Sequence, residues 1–298
     1  MNSLKRSYRE ASARQRISGL CDLGSFNEWL GPVERLTSPH LEALGAPLSF
    51  DDGVVVGEGT IMSRKAVMIA QEGLFNGGAV GEVHGAKIRG ALLRAVTTSV
   101  DYVVFAVDSG GVRLHEANAG LIAISEIMRA LFSVQQAGIP VIALVGGSCG
   151  AFGGMGIVTR LCDVIVMSEE GRMGLSGPEV IETVKGVDEF DAKDRALVWR
   201  VTGGKIRRTL NEAQVLVEDS IPSFRAALEG LIVDGVKKKS FAVDELMRQQ
   251  QDLLNRSLMP AHIREGSEVW ASMGLGRDEV SLMSVAQFNQ QLAETTHD

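Results

Sequence analysis

Residues 102–113 read YVVFAVDSGGVR, and residues 141–154 read VIALVGGSCGAFGG. In each stretch an apolar run passes directly into a glycine-rich loop. Short apolar runs that are bounded by glycine and followed by helical patterns predict buried parallel strands. A third run, residues 163–167, comes next, and the alternation of strand and helix implies right-handed crossovers. The sequence therefore predicts an α/β fold that is built on a parallel sheet.

The chain before and after these runs divides into three predicted regions. Residues 51–239 form the core domain, which begins with a hairpin of residues 54–61 and 65–71 around a turn. Residues 1–50 form an N-terminal arm that packs either on this core or on a partner subunit. Residues 240–298 form a helical extension. Within the core, residues 188–235 are predicted to be helical, with turns at Gly203–Gly204 and at Gly230.

Composition excludes several classes of protein. The net charge of −7 and the aromatic content of 5% argue against a nucleic-acid partner. Three cysteines without a C-x-x-C pair argue against a zinc ribbon and against a disulfide framework. We therefore expect no metal site and a cytoplasmic location. No apolar run has the roughly 20 residues that span a bilayer, so no membrane partner is expected.

The two glycine-rich loops carry the predicted chemistry. Each follows a strand and precedes a helix, where backbone N–H groups lack partners and the helix dipole is positive. Two such loops side by side can stabilise a developing oxyanion, as in a thioester enolate, without a charged side chain. We assign one set of donors to Gly110 and Gly111 and the other to Gly150 and Ala151. The alternative is that these glycines only satisfy tight turns and helix–strand packing.

These loops resemble those of the carboxyltransferase β-subunit family, a branch of the crotonase (ClpP) superfamily. The family's Ser-Gly-Gly-Ala-Arg-Met-Gln-Glu loop corresponds to residues 109–116, and its second glycine loop corresponds to residues 146–154. A Gly-Gly-x-x-Gly-Glu-x-x-Gly-x-Lys motif corresponds to residues 77–87. The resemblance implies a crotonase-like spiral of ββα units, with this chain as one carboxyltransferase half-domain.

Within this family the chain is most similar to the β subunits of biotin-independent malonate decarboxylases. The similarity lies in residues 31–57, in His115 and in the sequence that starts at Cys149. It implies decarboxylation of a malonyl thioester on an acyl-carrier protein. The chain itself would bind no cofactor, because the carrier holds a phosphopantetheine-type group. The implied partners are a crotonase-like γ subunit, the acyl-carrier protein and an acyl-transferase α subunit.

Further residues near the motifs are candidates for substrate contacts. His115 is the first candidate for the proton donor to the enolate, and His84, Glu116 or a bound water are alternatives. Glu116 could equally pair with Arg113.

The remaining candidates would bind the substrate or its carrier arm. Lys87 and Arg89 could meet the phosphate of a phosphopantetheine arm, and Phe152 could form a dry wall. Gly77 and Gly78 would border the substrate. For Lys87 and Arg89 the alternative is a solvated helix face, and for Phe152 it is core packing.

Two other functions stay open on the sequence alone. A biotin-dependent carboxyltransferase β subunit uses the same enolate chemistry in reverse, so the loops do not separate it from a decarboxylase. A non-catalytic scaffold subunit would only position its partners.

Overall fold

A seven-stranded sheet forms the centre of the structure, a computed structural model that describes residues 7–258, 265–276 and 279–295. The strands lie in the sheet in the order in which they occur along the chain. The first three strands pair antiparallel, and each later strand pairs parallel with its predecessor. The strands are β1 (Asn27–Glu28), β2 (Val54–Ile61), β3 (Arg64–Gln71), β4 (Tyr102–Val107), β5 (Val141–Val145), β6 (Val164–Ser168) and β7 (Val215–Val217).

Helices cover both faces of this sheet. Three single 3₁₀ turns, Pro32–Glu34, Asn76–Gly78 and Leu114–Glu116, lie in the described connections. The α-helices are α1 (Ala13–Leu20), α2 (Glu82–Thr98), α3 (Ala119–Gln136), α4 (Gly153–Leu161), α5 (Pro178–Lys185), α6 (Arg195–Thr202), α7 (Gly204–Thr209), α8 (Ile221–Asp234), α9 (Val243–Ser257), α10 (Gly266–Ser272), α11 (Glu279–Leu282) and α12 (Val285–Thr295).

Alternation along the buried strands divides the core into two layers. In β4, Phe105 packs with residues of α2 and α3 such as Leu92 and Leu131. Val104 points to the other face, where the core contains Ile17 of α1 and Phe224 of α8. Successive side chains of a strand point to opposite faces, so a strand that is apolar throughout must be covered on both sides. The predicted α/β class and parallel sheet are confirmed.

A second, smaller layer of strand pairing lies beyond the carboxyl ends of β4, β5 and β6. Ser109, Ala151 and Met173 form successive parallel bridges, and Val80 bridges Val112. Each turn of the spiral therefore contains a long strand, an extended segment with a single second-layer bridge, and a helix. This repeat confirms the predicted spiral of ββα units.

Two details of the prediction are wrong. Residues 215–217 form β7 inside the region predicted as helical, because they complete the sheet beside β6. Gly230 lies within α8 and marks no turn.

The two terminal regions differ in how they pack. The helix α1 of the N-terminal arm packs on the chain's own core, whereas α9 of the C-terminal extension has no buried residue. No helix in the described part of the chain is long and apolar enough to cross a membrane.

Candidate active site

The three glycine-rich stretches meet in the second layer. A Cβ atom on Gly78 would lie 1.7 Å from the carbonyl oxygen of Asp108. The N–H group of Gly110 donates to the carbonyl oxygen of Gly77 over 2.9 Å. A Cβ atom on Gly153 would lie 3.2 Å from the Cα atom of Gly111. Backbones approach this closely only where side chains are absent, so the glycines bring the three stretches into one site.

Two of the four predicted donors do not fit this geometry. The N–H group of Gly110 is engaged by Gly77, and that of Ala151 donates to the carbonyl oxygen of Arg172 over 2.9 Å. Both groups hold loops together, so neither is available to an oxyanion. Gly150 has a φ of 76°, and a Cβ atom there would lie 2.6 Å from the carbonyl oxygen of Arg172. Close packing accounts for this glycine, and its role as a donor stays a prediction.

The free donors lie at the start of α4, and Gly111 lies beside them. The N–H group of Gly111 donates to the hydroxyl oxygen of Ser109 over 3.2 Å, a longer bond than those of Gly110 and Ala151. The N–H groups of Gly154 and Met155, in the first turn of α4, have no partner in the described ranges. Gly111 has a φ of 138°, and no atom lies within 4 Å of the position of its missing Cβ. Sequence reasoning missed Gly154, although the Gly-Gly pair at the helix start was its signal.

A buried ion pair fixes the first loop relative to the second. Asp108 directly follows β4, and its carboxylate lies 2.9 Å from the guanidinium of Arg16 in α1; their side chains are 1% and 2% exposed. The other carboxylate oxygen of Asp108 accepts the N–H group of Cys149 over 2.7 Å. Burial raises the pKa of the Cys149 thiol, which suits a packed residue better than a nucleophile. Asp108 thus connects both loops to the N-terminal helix.

A second charged cluster holds the other side of the first loop. Arg113 pairs with Asp51 at 2.5 Å and with Glu116 at 3.0 Å, and its Nε–H donates to the carbonyl oxygen of Ala79. Glu116 also accepts the N–H group of Glu82 over 2.7 Å. The possible pairing of Arg113 with Glu116 is confirmed, while Asp51 was not foreseen. Both carboxylate oxygens of Glu116 accept hydrogen bonds, one from Arg113 and one from Glu82. Glu116 is therefore a positioning residue rather than a proton donor.

The two candidate histidines differ in environment. His84 is fully buried, accepts from the Gln71 amide at 3.0 Å, and has its pKa lowered to about 3, mainly by burial. A neutral, enclosed imidazole does not deliver a proton to substrate at neutral pH. His115 is 52% exposed and lines a cavity of about 300 Å³ together with Asn76, next to Gly77. Its role as proton donor stays a prediction.

The predicted phosphate contacts are engaged elsewhere. Lys87 is buried and donates to the carbonyl oxygen of Val54 over 2.5 Å. Arg89 lies on another face of α2 and pairs with Glu126 of α3 at 3.0 Å. The two cations do not share a site. Lys87 is enclosed and engaged, so the predicted phosphate role does not fit it, whereas the role of Arg89, which is 48% exposed, stays a prediction.

Two predictions remain: Phe152 as a wall of the site, and the absence of a metal site. Phe152 is 2% exposed, and its ring edge lies beside Gly150 and Gly174. It therefore forms a packed wall of the second loop. In the part of the chain that the structure describes, no three metal-ligating side chains lie together.

The three glycine-rich stretches, residues 77–87, 109–116 and 146–154, form a glycine layer at the carboxyl edge of the sheet. Together with the spiral of ββα units, this layer defines a crotonase-like carboxyltransferase domain. The chain belongs to the carboxyl transferase domain family, whose model matches residues 7–198. It is 41% identical over 289 residues to the malonyl-S-ACP:biotin-protein carboxyltransferase of Malonomonas rubra, with 90% of each chain covered.

Solved structures agree with this assignment. A Pseudomonas malonate decarboxylase hetero-tetramer in complex with malonate contains a chain with a TM-score of 0.77 and 38% identity; the match covers 87% of this chain and 94% of that one. Transcarboxylase 12S matches with a TM-score of 0.62 and 27% identity, over 74% of this chain and 41% of that one. The chain is therefore similar to malonate decarboxylase subunits over nearly their whole length.

Proposed function

We propose that this chain decarboxylates a malonyl thioester carried by an acyl-carrier protein, giving the acetyl thioester. The bond between the methylene carbon and the carboxylate breaks, and its electron pair moves into an enolate. Carbon dioxide leaves, and the enolate then takes a proton at carbon. The observation that supports this reaction best is the position of Gly111 beside the first turn of α4.

Backbone donors at this position suit an enolate oxygen. Gly111 lies in the loop that the Asp108 and Arg113 clusters fix, and Gly154 lies in the first turn of α4, just after the loop that Asp108 holds through Cys149. Donors fixed before the reaction need no reorganisation, and the loss of one costs about 10²–10³ in rate. The dipole of α4 adds a partial positive charge at the same place. His115, on the edge of the neighbouring cavity, is our candidate for the proton donor.

We propose a crotonase-like γ subunit as the partner that completes the site. Exposed apolar side chains lie on the elements around the glycine layer, where water would otherwise cover them. Leu175, whose carbonyl oxygen accepts the N–H group of Gly153, is 70% exposed. The others are Leu114, Leu121, Ile122 and Ile157. The Pseudomonas relatives were solved as a hetero-tetramer and as an MdcD-MdcE hetero-dimer, which supports a subunit partner. An acyl-transferase α subunit would load the carrier.

The test is an assay of the chain co-purified with its γ subunit. Malonyl-carrier protein should release carbon dioxide at the same rate with and without a biotinylated carrier. The chain alone should be nearly inactive, because the partner supplies part of the site. Full activity of the isolated chain would contradict the shared site, and inactivity of the complex on every malonyl thioester would contradict the decarboxylase.

A second candidate function is carboxyl transfer to biotin. It is favoured by one observation, the 41% identity to a carboxyltransferase whose name specifies a biotin protein as acceptor. The enolate and its donors would be the same, and only the fate of the carboxyl group differs. Malonyl thioester labelled at the free carboxylate distinguishes the two: the label appears in carbon dioxide in one case and on the biotin carrier in the other.

A further inference from the structure

One tryptophan, Trp199 of α6, is surrounded by three arginines. The guanidinium carbons of Arg9, Arg172 and Arg195 lie 5.7, 5.7 and 5.0 Å from its ring centroid. Arginine stacks on aromatic faces and also binds phosphate with its planar fork of N–H groups. Stacking on this half-buried ring holds the guanidinium groups in place. Arg172 also donates to the carbonyl oxygen of Ser148, and Arg9 donates to Glu170. The guanidinium of Arg195 has no hydrogen-bond partner in the described ranges, so its edge stays available.

The charges in this arginine–tryptophan cluster are not balanced. Arg9 pairs with Glu170 at 3.4 Å. In the described ranges no carboxylate lies within 4.0 Å of the guanidinium groups of Arg172 or Arg195. Neighbouring Glu169 pairs with Lys205 instead, at 2.7 Å. A chain with a net charge of −7 thus concentrates unpaired positive charge at one place, where an anion would be attracted.

The second-layer pairing links this cluster to the first glycine-rich loop. Ser109 bridges Ala151, Ala151 bridges Met173, and Arg172 bridges Gly203, whose N–H group donates to the carbonyl oxygen of Trp199. The three steps between neighbouring strands, at about 4.7–4.9 Å each, add up to roughly 14 Å between Ser109 and Gly203. A pantetheine arm in an extended form has a length of this order between its thioester and its phosphate.

We propose that the arginine–tryptophan cluster binds the phosphate at the far end of the pantetheine arm that carries the malonyl thioester. This inference rests on the proposed function. The phosphate is a phosphodiester when the arm is attached to a carrier protein, and a pyrophosphate when the arm belongs to coenzyme A. Arg195 and Trp199 also line a cavity of about 330 Å³. Glu169 and Glu170 line it too, and they pair with Lys205 and Arg9, so Arg195 is the cluster's cation that faces this concave site. The cluster takes the role that the buried Lys87 does not fill.

The experiment compares three substrates with the complex that carries Arg195→Ala. Malonyl-carrier protein and malonyl-CoA carry the phosphate, whereas malonyl-N-acetylcysteamine has the thioester without it. A lost charge-assisted contact should lower kcat/KM about tenfold, through KM, for the phosphate-bearing substrates. The truncated thioester should change less than twofold. A loss on only one of the first two substrates identifies which source of phosphate is bound, and it also supports the proposal.

Two results would overturn the proposal: an equal loss on all three substrates, or no loss on any of them. Arg64→Ala is the matched control, since this arginine is 55% exposed and lies at the opposite, amino end of β3. Calorimetry with coenzyme A and with the carrier protein separates this inference from the proposed function. If the complex decarboxylates nothing, the proposed function fails. A Kd that is unchanged for both ligands in Arg195→Ala then overturns the cluster too, and a tenfold weaker Kd for either one supports it.

Discussion

The main sheet and the glycine layer above it are stabilised by opposite means. β4 and β5 are apolar and buried along their whole length, and continuous ladders fix their register. The glycine layer has only single bridges, and buried charges hold its loops. Hydrophobic burial is not directional, whereas a paired charge specifies both a partner and a distance. The frame is thus set by burial, and the positions of the backbone donors are set by ion pairs.

Breaking the buried ion pair between Arg16 and Asp108 should cause the largest loss of stability. Arg16→Met leaves the Asp108 carboxylate buried without its partner, and such changes cost about 3–5 kcal/mol. The measurement is the free energy of unfolding in guanidinium chloride. Arg14→Met, two positions earlier in α1, is the control. Arg14 is 40% exposed, so its pairs with Glu28 and Asp52 should be worth less than about 1 kcal/mol. Equal losses for the two variants would contradict a special role for Asp108.

Filling the open side of Gly111 should stop the chemistry while the frame survives. Gly111→Val places a side chain where no atom lies within 4 Å, so it projects into the candidate site. We expect kcat to fall about 10²–10³-fold, as for the loss of an oxyanion donor. Gly24→Val is the control, because Gly24 also has a positive φ and open space, in the loop after α1. Gel filtration should show that both variants assemble with the partner. Wild-type turnover by Gly111→Val would instead favour a scaffold subunit.

The buried His84 should make the stability of the folded protein depend on pH. Burial lowers the pKa of His84 to about 3, whereas an unfolded histidine titrates near 6.5. Between these values the unfolded chain binds a proton that the folded chain does not, so stability falls as the pH falls from 6.5. The slope reaches at most about 1.4 kcal/mol per pH unit. His84→Gln should remove this contribution in unfolding measurements at pH 6.5, 5.5 and 4.5. Parallel curves for the two proteins would contradict it.

The smallest expected changes in stability are those from alanine substitutions at two glycines of α2, Gly90 and Gly85. Gly90 has open space at its Cβ position, so Gly90→Ala should stabilise the helix by about 0.5–1 kcal/mol. At Gly85 a Cβ atom would lie 2.3 Å from the Cβ atom of Ala123 in α3. Gly85→Ala should therefore destabilise the protein, because α2 and α3 must separate. Thermal unfolding of both variants decides this, and a shift of Tm in the same direction would show that the contact gives way.

Local patterns predicted the frame well. The runs 102–107 and 141–145 coincide with β4 and β5, because each is apolar throughout and bounded by turn residues. The hairpin of β2 and β3 followed from its two strand-like runs around a short turn. β7 was not predicted, because a strand of three residues forms only through its pairing with β6. That pairing is a tertiary interaction, and the local sequence does not show it.

For the candidate site, only the features that are encoded in short stretches of sequence could be predicted. The glycine motifs identified Gly111, but the partners of Asp108 and Arg113 lie far away in the sequence, at Arg16 and Asp51. A joint phosphate site of Lys87 and Arg89 could have been excluded from the sequence. The two residues are two positions apart on a helix, and residues at that spacing do not face the same way.

The strand order has a consequence for how the molecule is made. Each strand lies beside its predecessor in the chain, so β2 to β6 can join the sheet in the order in which the ribosome delivers them. The helix α1 is different, since it precedes these strands in the chain and packs on β2 and β3 but also against α8. The hydroxyl of Ser7 donates to Asp219, 212 positions later. The segment that carries Arg16 therefore completes its packing only after α8 has been synthesised. A helix that is translated before the sheet is thus fully covered only after the sheet is complete.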